Sequence, residues 1–530
     1  MLHRSRALAL LALPFLAVAC SDAQPDDVED SEAAFSSNQA TLLDFAFDGE
    51  LVTTGPVWDT KKVINDQMLY TIGHLNGQSS VGRLDRLTLT NVTTSTEGGK
   101  TKVKYHAVLP VAWGRKTGLP TTYAFTLPRD ASYEGQRAFT EKYKHDCVDW
   151  GAHDVDPGSM WYYYRPERCE IAAADVVKLT ARVAPSPENT QGKYPEYDRV
   201  WSDGELRMVA IFGKYEDGAT TGDAGINAYN TFLRTMKSKL SRHAVTTTPA
   251  SLPDNPGVGT PDVTFDSRLP DGKKVSVTAL LVDNVRTADQ RFNDRYAQLS
   301  TKADIISYNG HAGLGENVRA LAQKGRWEAG KYVIMFINGC DTFAYVDGSL
   351  AQTRARINPD DPGGTKYMEF VTNAMPSMFS SMPVASGTLL DGLLRFDNPM
   401  TYDQIFSGID EEQVVLVTGE EDNTFRPGAT PPPSGWAGLS ASFTLRRYID
   451  RHFATGVLPA GSYTFELSGT GQANLYVKAG RNATSRTYDC KSVNPGAAER
   501  CTVTLRDPAS IDVLVRATGD ASLKIAGRKN

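Results

Sequence analysis

The chain has 530 residues, of which 41% are hydrophobic and 22% are charged. That composition is ordinary for a globular protein, and the length suggests about three or four domains. The 56 Lys and Arg residues against 62 Asp and Glu residues give a net charge of −6. No basic block stands out, which argues against nucleic acid as the main partner. The 45 glycines and 28 prolines are too few for a collagenous or fully disordered chain.

The first 20 residues are typical of an export signal. Two arginines precede an apolar segment over residues 7–19, which is too short to span a bilayer comfortably. The sequence Ala-Val-Ala-Cys that ends at Cys20 resembles a bacterial lipobox, in which the cysteine is lipidated; the alternative is an ordinary signal peptide with a chance cysteine. Ser21 is similar to an outer-membrane sorting signal. We therefore expect an exported lipoprotein of the bacterial cell envelope, anchored in the outer membrane on its periplasmic or surface face.

Residues 21–38 are acidic and polar, which predicts a flexible tether between the lipid anchor and the first domain. Three regions with different hydrophobic patterns follow. Residues 39–200 contain alternating apolar and polar runs between Gly, Asn and Pro turns, which predicts a β-rich domain. Residues 201–425 alternate short apolar runs with stretches of helical spacing, which predicts a three-layer α/β domain around a mainly parallel sheet. A proline-rich linker over residues 426–436 leads into residues 437–530, where short alternating runs predict an all-β sandwich.

One of the six cysteines has no predicted disulfide partner or lipid. The six cysteines are Cys20, Cys147, Cys169, Cys340, Cys490 and Cys501. Export to an oxidising compartment favours disulfides, and pairing each cysteine with its sequence neighbour predicts the bonds Cys147–Cys169 and Cys490–Cys501, worth about 3 kcal/mol each. With Cys20 lipidated, Cys340 remains unpaired. Such a thiol is either a buried structural cysteine or a nucleophile.

Two consecutive apolar strands of the predicted parallel sheet end in reactive side chains. One ends in Asn-Gly-His-Ala-Gly at residues 309–313 and the next in Asn-Gly-Cys-Asp-Thr at residues 338–342. Function in open parallel sheets lies at the carboxyl ends of the strands, so His311 and Cys340 meet at one edge if the strands are neighbours. An imidazole activates a thiol by raising its thiolate fraction or by taking its proton. Backbone N–H groups of the two turns could hold the oxyanion of an acyl-transfer intermediate.

This pair of motifs resembles the caspase–gingipain–legumain class of cysteine peptidases, and the Cys-Asp-Thr run is similar to CHAT domains, their relatives in bacteria. The resemblance covers about residues 205–425 and implies a caspase-like α/β fold. It implies His311 as the general base, Cys340 as the nucleophile, and Gly313 with Cys340 as the oxyanion donors. It also implies a protein or peptide substrate and no required cofactor.

Two departures from the family pattern leave other functions open. Ala312 follows the histidine where the family has glycine, and Gly339 precedes the cysteine where the family usually has alanine. Neither change removes a reacting group. The alternatives are another acyl-transfer or hydrolase activity on the same fold, and a catalytically silent surface lipoprotein that binds proteins or glycans through its β domains.

Nothing in the sequence favours one cleavage specificity over another. Caspase-like enzymes cut after Asp, gingipain-like enzymes after Arg or Lys, and legumain-like enzymes after Asn. The acidic residues Asp217, Asp341 and Asp347 could bind a basic substrate side chain, although such residues are more often solvated or structural.

The last region resembles the bacterial pre-peptidase C-terminal (PPC) domain. The resemblance rests on a Pro-Ala-Gly turn and an Asn-Leu-Tyr-Val strand within residues 458–480, on the Tyr-Asp-Cys and Cys-Thr-Val segments around Cys490 and Cys501, and on a closing strand at 511–517. Such domains are small β-sandwiches appended to secreted peptidases, so the resemblance supports the peptidase hypothesis independently. It implies a substrate- or surface-binding module, a segment removed on maturation, or a stability or secretion appendage.

Two clusters are weak candidates for metal binding. His145, Asp149 and His153 lie in one short segment, and imidazole with carboxylate can bind zinc. Their spacing matches no known metal motif, and a disulfide-pinned surface loop is the simpler interpretation. Asn358, Asp360 and Asp361 could hold a structural calcium ion, because carboxylate-rich loops suit hard cations.

Overall fold

The computed structural model describes residues 35–54, 57–152, 155–375, 377–410, 413–419, 423, 425–428, 438–455, 458, 460–480, 483–506 and 509–530, with the backbone alone of Glu97. The predicted export signal, the lipidation site Cys20 and most of the tether and of the linker lie outside these residues. In the part of the chain that is described, no helix is long and apolar enough to cross a membrane.

The N-terminal domain is an antiparallel sheet with helices packed on one face. Its strands are Thr41–Thr54 (β1), Val81–Gly82 (β2), Thr88–Glu97 (β3), Lys100–Trp113 (β4), Thr122–Pro128 (β5) and Val176–Pro185 (β6). Its helices are Thr60–Asn76 (α1), Tyr133–Tyr143 (α2) and Met160–Tyr163 (α3). The strand order is β2-β4-β1-β6-β5, with β3 paired to β4. Helix α1 begins where Asp59 accepts a hydrogen bond from the Lys62 N–H.

The central domain contains an eight-stranded sheet with helices on both faces. Its strands are Glu205–Gly213 (β7), Ala244–Thr248 (β8), Asp262–Arg268 (β9), Lys274–Val282 (β10), Ile305–Asn309 (β11), Val333–Asn338 (β12), Met368–Asn373 (β13) and Val415–Gly419 (β14). Its helices are Tyr197–Val200 (α4), Ala224–Leu240 (α5), Gln290–Ser300 (α6), Glu316–Lys324 (α7), Ser349–Ala355 (α8), Met382–Leu393 (α9) and Tyr402–Phe406 (α10).

The central sheet is parallel in its middle and antiparallel at its margins. The strand order is β14-β13-β12-β11-β7-β10-β9-β8, and the run from β13 to β10 is parallel throughout. Strand β12 shows why both faces are covered: all six of its residues are buried. Met335 and Ile337 belong to one apolar core, and Ile334 and Phe336 to a second core on the other face. The first core continues into the N-terminal domain.

The C-terminal domain is a sandwich of two four-stranded antiparallel sheets. One sheet contains Leu439–Leu445 (β15), Gly461–Thr470 (β17), Glu499–Leu505 (β20) and Ala521–Lys529 (β22); the other contains Asp450–Ala454 (β16), Ala473–Ala479 (β18), Cys490–Ser492 (β19) and Ile511–Ala517 (β21). Alternate residues such as Phe465 and Val513 fill a common core.

Both predicted disulfides are present. Cys490–Cys501 joins β19 to β20 and therefore links the two sheets of the sandwich. Cys147–Cys169 joins the segments that flank α3, and Tyr162 of this short helix contacts Asp341 of the central domain. Each bond closes a short loop and thereby restricts the unfolded chain.

The aromatic core of the N-terminal sheet provides a test of the packing. Phe45 is fully buried, and its ring contacts those of Trp113, Tyr123 and Phe125 at centroid distances of 5.6–6.2 Å. We expect Phe45→Ala to lower the free energy of unfolding of this domain by about 3–5 kcal/mol, because it removes buried area and leaves a cavity. Urea unfolding followed by fluorescence measures this, with Val92→Ala on the exposed strand β3 as the control within about 0.5 kcal/mol.

Candidate functional site

The two motif-bearing strands are direct neighbours. Strands β11 and β12 pair in parallel, with Asn309 opposite Asn338 at their carboxyl ends. His311 and Cys340 each follow two residues later. The backbones of the two turns nearly touch: a Cβ atom on Gly339 would lie 2.6 Å from the Gly310 carbonyl oxygen. Glycine is therefore required at position 339, where a side chain would push the turns apart.

A buried network of amides and hydroxyls lies directly beneath these turns. Asn338 Nδ2 donates to Asn309 Oδ1 at 2.9 Å, and Asn373 Nδ2 donates to Asn338 Oδ1 at 3.0 Å. The three asparagines are fully buried at the ends of β11, β12 and β13. Ser377 Oγ and Gln413 Nε2 also donate to Asn338 Oδ1, at 3.0 and 2.7 Å. The network joins three strand ends and therefore fixes the positions of the turns that follow them.

His311 is held in a defined tautomer. Its ring is exposed, and Nε2 lies 3.2 Å from the Tyr215 carbonyl oxygen. A carbonyl oxygen only accepts hydrogen bonds, so Nε2 carries the proton and Nδ1 of the neutral ring has the free lone pair. The imidazole packs between the rings of Tyr215 and Phe379, each 5.1 Å away between centroids. Nδ1 can therefore act as a proton acceptor.

Cys340 is held as a protonated thiol. Its side chain is half-buried, and Sγ donates a hydrogen bond to the Ser377 carbonyl oxygen at 3.8 Å. Burial raises the pKa of the Cys340 thiol to about 11, and the neighbouring Asp341 carboxylate adds to the increase. Within the described residues, Sγ makes no hydrogen bond with His311. In this arrangement the thiol and the imidazole lie on adjacent turns without a hydrogen bond between them.

One short segment contacts both side chains. Ser377 accepts the hydrogen bond from Cys340, and Phe379, two residues later, packs on His311. Ser377 is itself buried and tied to the amide network through its hydroxyl group. The segment 377–379 therefore touches both the thiol and the imidazole.

Asp341 does not line a specificity pocket. Its side chain is fully buried, and its two oxygens accept hydrogen bonds from Asn76 Nδ2 at 2.6 Å and from the Tyr162 hydroxyl at 3.1 Å. The hypothesis that Asp341 binds a basic substrate side chain is therefore wrong, because both oxygens are occupied by the N-terminal domain. Asp347 is likewise occupied, since it accepts a hydrogen bond from Arg319.

The remaining predicted specificity and oxyanion residues lie at the same sheet edge. Gly313, a predicted oxyanion donor, opens a turn with φ +58° just before α7, and its role stays a prediction. Asp217 lines a cavity of about 390 Å³ beside the ends of β7 and β10. His311 and Cys340 are not among the residues that line this cavity.

Two of the weak metal candidates, Asp149 and Asp361, are engaged in other contacts. Asp149 pairs with Arg165 at 3.2 Å, and His153 lies outside the described residues. Asp361 accepts hydrogen bonds from the backbone N–H groups of Gly364 and Lys366, which closes the loop proposed for calcium. Nowhere in the described part of the chain do three His, Cys, Asp or Glu side chains come together to hold a metal ion.

Sequence reasoning missed several residues of the site. The repeated Asn-Gly before His311 and Cys340 was a usable signal for the amide network, because both asparagines precede a reactive residue at a strand end. Tyr215 and Phe379 had no such signal, and neither did the two N-terminal residues that bind Asp341. Asn76 and Tyr162 are far from the turns in sequence, and only the packing of the N-terminal domain on the central domain brings them to Asp341.

No protein-family model matches the chain. A zinc metalloprotease of Helicobacter pylori is 35% identical over 98 residues, which is 17% of this chain and 37% of that protein. The hemagglutinin/proteinase of Vibrio cholerae is 35% identical over 98 residues, 17% of this chain and 15% of that protein. A neutral protease of Vibrio proteolyticus is 33% identical over 94 residues, again 17% and 15%. The chain thus spans between 15% and 37% of the length of these relatives.

Two solved structures resemble parts of the chain. The periplasmic g-type lysozyme inhibitor PliG of Aeromonas hydrophila is 18% identical, covering 19% of this chain and 91% of that chain, with a TM-score of 0.16. The pre-peptidase C-terminal domain of a Bacillus anthracis collagenase is 9% identical, covering 17% of this chain and 88% of that chain, with a TM-score of 0.15. TM-scores this low do not establish a shared fold.

The described residues do not fit a zinc ion of the kind in the name of the Helicobacter pylori relative. None of the eight histidines is followed by glutamate, so the chain has no His-Glu-x-x-His sequence, the helical zinc motif of many metalloproteases. The described residues also offer no group of three donors.

The amide network predicts a large effect of one substitution. We expect Asn338→Ala to lower the free energy of unfolding of the central domain by on the order of 3 kcal/mol, since several buried donors and acceptors lose their partner at once. Calorimetry measures the change. Asn398→Ala, at an exposed asparagine, is the matched control, and equal effects of the two substitutions would contradict this account of the network.

The protonation state of Cys340 predicts its reactivity. Because the pKa of the Cys340 thiol is about 11, we expect alkylation by iodoacetamide to be slow at neutral pH and to rise about tenfold per pH unit between pH 8 and 10. The rate is measured by mass spectrometry on the peptide that contains Cys340. We expect His311→Ala to leave this profile unchanged. A rate that is already at its maximum at pH 6 and does not rise between pH 8 and 10 would instead indicate a preformed thiolate–imidazolium pair.

Proposed function

We propose that this chain is a cysteine peptidase of the caspase-like type, with Cys340 as nucleophile and His311 as general base. One observation carries the proposal, and a second one supports it. The two residues follow neighbouring parallel strands in the same register, and the Tyr215 carbonyl group selects the imidazole tautomer in which Nδ1 can accept a proton. An imidazole with a free nitrogen beside a thiol on the adjacent turn is the arrangement that nucleophilic acyl transfer requires.

The proposed reaction has two steps. Sγ of Cys340 attacks the peptide carbonyl carbon, its proton passes to Nδ1 of His311, and the imidazole then protonates the leaving amine as the C–N bond breaks. In the second step the imidazole takes a proton from water, the hydroxide attacks the thioester, and the proton returns to the leaving thiolate. No cofactor takes part. Backbone N–H groups of Gly313 and Cys340 are the proposed donors to the oxyanion.

The proposed reaction requires a change in the resting arrangement. The thiol donates to the Ser377 carbonyl group rather than to the imidazole, so Cys340 must leave this acceptor before its proton can reach Nδ1. Apo enzymes often have long catalytic hydrogen bonds that tighten when substrate binds. The segment 377–379 contacts both side chains, and its displacement by substrate is the proposed trigger.

The relatives support the peptidase class only coarsely. Their names describe proteases, which is consistent with protein or peptide substrates for this chain. The matched stretch of 98 residues is shorter than half of the range 205–419 that contains the central sheet. It therefore does not extend over the whole domain that holds the proposed dyad, and the cysteine mechanism does not depend on it.

The flanking regions are assigned supporting roles. We propose that the C-terminal sandwich, which resembles a PPC domain in sequence, binds substrate or a surface close to the catalytic domain. We further propose that a lipid on Cys20 anchors the chain in the bacterial outer membrane. Both assignments depend on the sequence patterns rather than on contacts within the domains.

A catalytically silent binding lipoprotein is the second candidate function, and one observation favours it. A thiol whose pKa is raised to about 11 is almost entirely protonated at neutral pH, whereas a nucleophilic cysteine normally has a lowered pKa. In this alternative the sheet edge is a scaffold, and the two β domains bind proteins or glycans.

Peptide cleavage distinguishes the two functions. We expect the parent chain to cut a proteome-derived peptide library, and Cys340→Ala and His311→Ala each to reduce the rate at least about 10³-fold, because each removes a group that takes part in bond breaking. Mass spectrometry of the new termini also gives the cleavage specificity. His243→Ala, at a histidine remote from the site, is the matched control. Equal cleavage by the parent and by Cys340→Ala would rule out the cysteine mechanism.

A further inference from the structure

The carboxylate that follows Cys340 is bound by the N-terminal domain. Asn76, the last residue of α1, donates to Asp341 Oδ1 at 2.6 Å, and Tyr162 in α3 donates to Oδ2 at 3.1 Å. These donors lie 265 and 179 residues away from Asp341 in the chain. The central domain therefore relies on another domain for the side-chain hydrogen bonds of a fully buried carboxylate in its candidate site.

The orientation of the Asn76 amide is itself fixed. Arg165 Nη2 donates to Asn76 Oδ1 at 3.0 Å, so the oxygen of this amide faces the guanidinium and its NH₂ group faces Asp341. Arg165 is buried and is held by the Gly73 carbonyl oxygen at 2.5 Å and by Asp149. The donor to Asp341 is therefore preorganised by a chain of contacts within the N-terminal domain.

The backbone at Asp341 depends on these contacts. Asp341 adopts φ +51° and ψ 29°, the left-handed region that a non-glycine residue occupies at a cost. Aspartate tolerates this conformation best when its short side chain is hydrogen-bonded. This left-handed residue comes immediately after Cys340, so the hydrogen bonds to Asp341 act on the same turn that carries the sulfur.

We propose that Asn76 and Tyr162 are positioning residues for Cys340, acting through Asp341, so that the N-terminal domain forms part of the candidate active site rather than a separate binding module. The inference concerns the thiol itself and holds whether or not the chain is a peptidase. It gives the N-terminal domain a role that can be measured as the reactivity of one cysteine.

The charges around Asp341 and Cys340 determine how the alkylation rate of Cys340 depends on pH. Burial raises the pKa of Asp341 to about 7, whereas the hydrogen bonds from Tyr162 and Asn76 lower it. The ionised carboxylate in turn raises the pKa of the Cys340 thiol. Among the described residues, the other titratable or charged groups that interact with Asp341 or Cys340 are Arg165, Tyr162, Tyr308 and Tyr345, and His311 stands on the turn adjacent to Cys340. Burial raises the pKa of each tyrosine, so these three remain neutral near pH 7.

Alkylation of Cys340 across pH 5–10 tests the proposal on the full chain. As the pH rises through the pKa of Asp341, the new negative charge suppresses thiolate formation, so the logarithm of the rate flattens near pH 7 and then rises again. Asn76→Ala and Tyr162→Phe each remove a donor that stabilises the ionised carboxylate, and therefore raise the pKa of Asp341. We expect each to move this flat region to a higher pH by about one pH unit. We expect Asp341→Asn, which keeps the size and tolerates the left-handed backbone, to abolish it and to speed alkylation at pH 8.

Matched controls separate positioning from general destabilisation. Gln78→Ala removes an exposed amide just beyond α1, and Tyr133→Phe removes a hydroxyl from a residue that is 73% exposed. We expect neither to move the flat region, whatever its effect on thermal stability. If Asn76→Ala does not fold, Tyr162→Phe, which removes a single oxygen atom, gives the decisive result. An unmoved flat region in the folded variants, or unchanged reactivity in Asp341→Asn, would overturn the proposal.

Discussion

The register of β11 against β12 is the constraint on which the candidate site depends. Both strands are buried and parallel, so their last residues, Asn309 and Asn338, meet in the interior, where each side-chain amide needs hydrogen-bond partners. A slip of one residue would turn these amides to the opposite face of the sheet and leave polar groups unsatisfied. The contact between the two amides therefore favours one register, and that register puts His311 and Cys340 on adjacent turns.

The same sheet edge joins two domains. The apolar core on one face of the central sheet continues without interruption into the N-terminal domain, so the two bury area together. Asp341 adds a polar contact to this interface. A buried carboxylate without partners costs several kcal/mol. The central domain can therefore hold Asp341 in its interior only while the N-terminal donors are in place. The two domains are thus coupled in stability as well as in position.

Periodicity and composition predicted much of the architecture but little of the site's environment. Strands β11 and β12 are short apolar runs bounded by glycine turns, which made them visible, and the local cysteine spacing predicted both disulfides. By contrast, Asn76 and Tyr162 are ordinary residues of a helix end and an aromatic segment, and their contact with Asp341 arises from domain packing. The pKa of Cys340 was also beyond sequence reasoning, because it depends on burial and on the partners of its neighbour.

The protonated state of Cys340 reconciles two requirements that conflict. A cysteine that is outside a disulfide reacts with oxidants as its thiolate, so a low pKa would leave Cys340 open to oxidation. Burial beside a carboxylate and a hydrogen bond to the Ser377 carbonyl group keep the proton on the sulfur at rest. The imidazole that could remove this proton stands on the adjacent turn, with Nδ1 free but not bonded to the thiol. In the proposed mechanism the thiol is therefore kept protonated until substrate binds, and displacement of the short segment 377–379, which contacts both groups, is the step that brings them together.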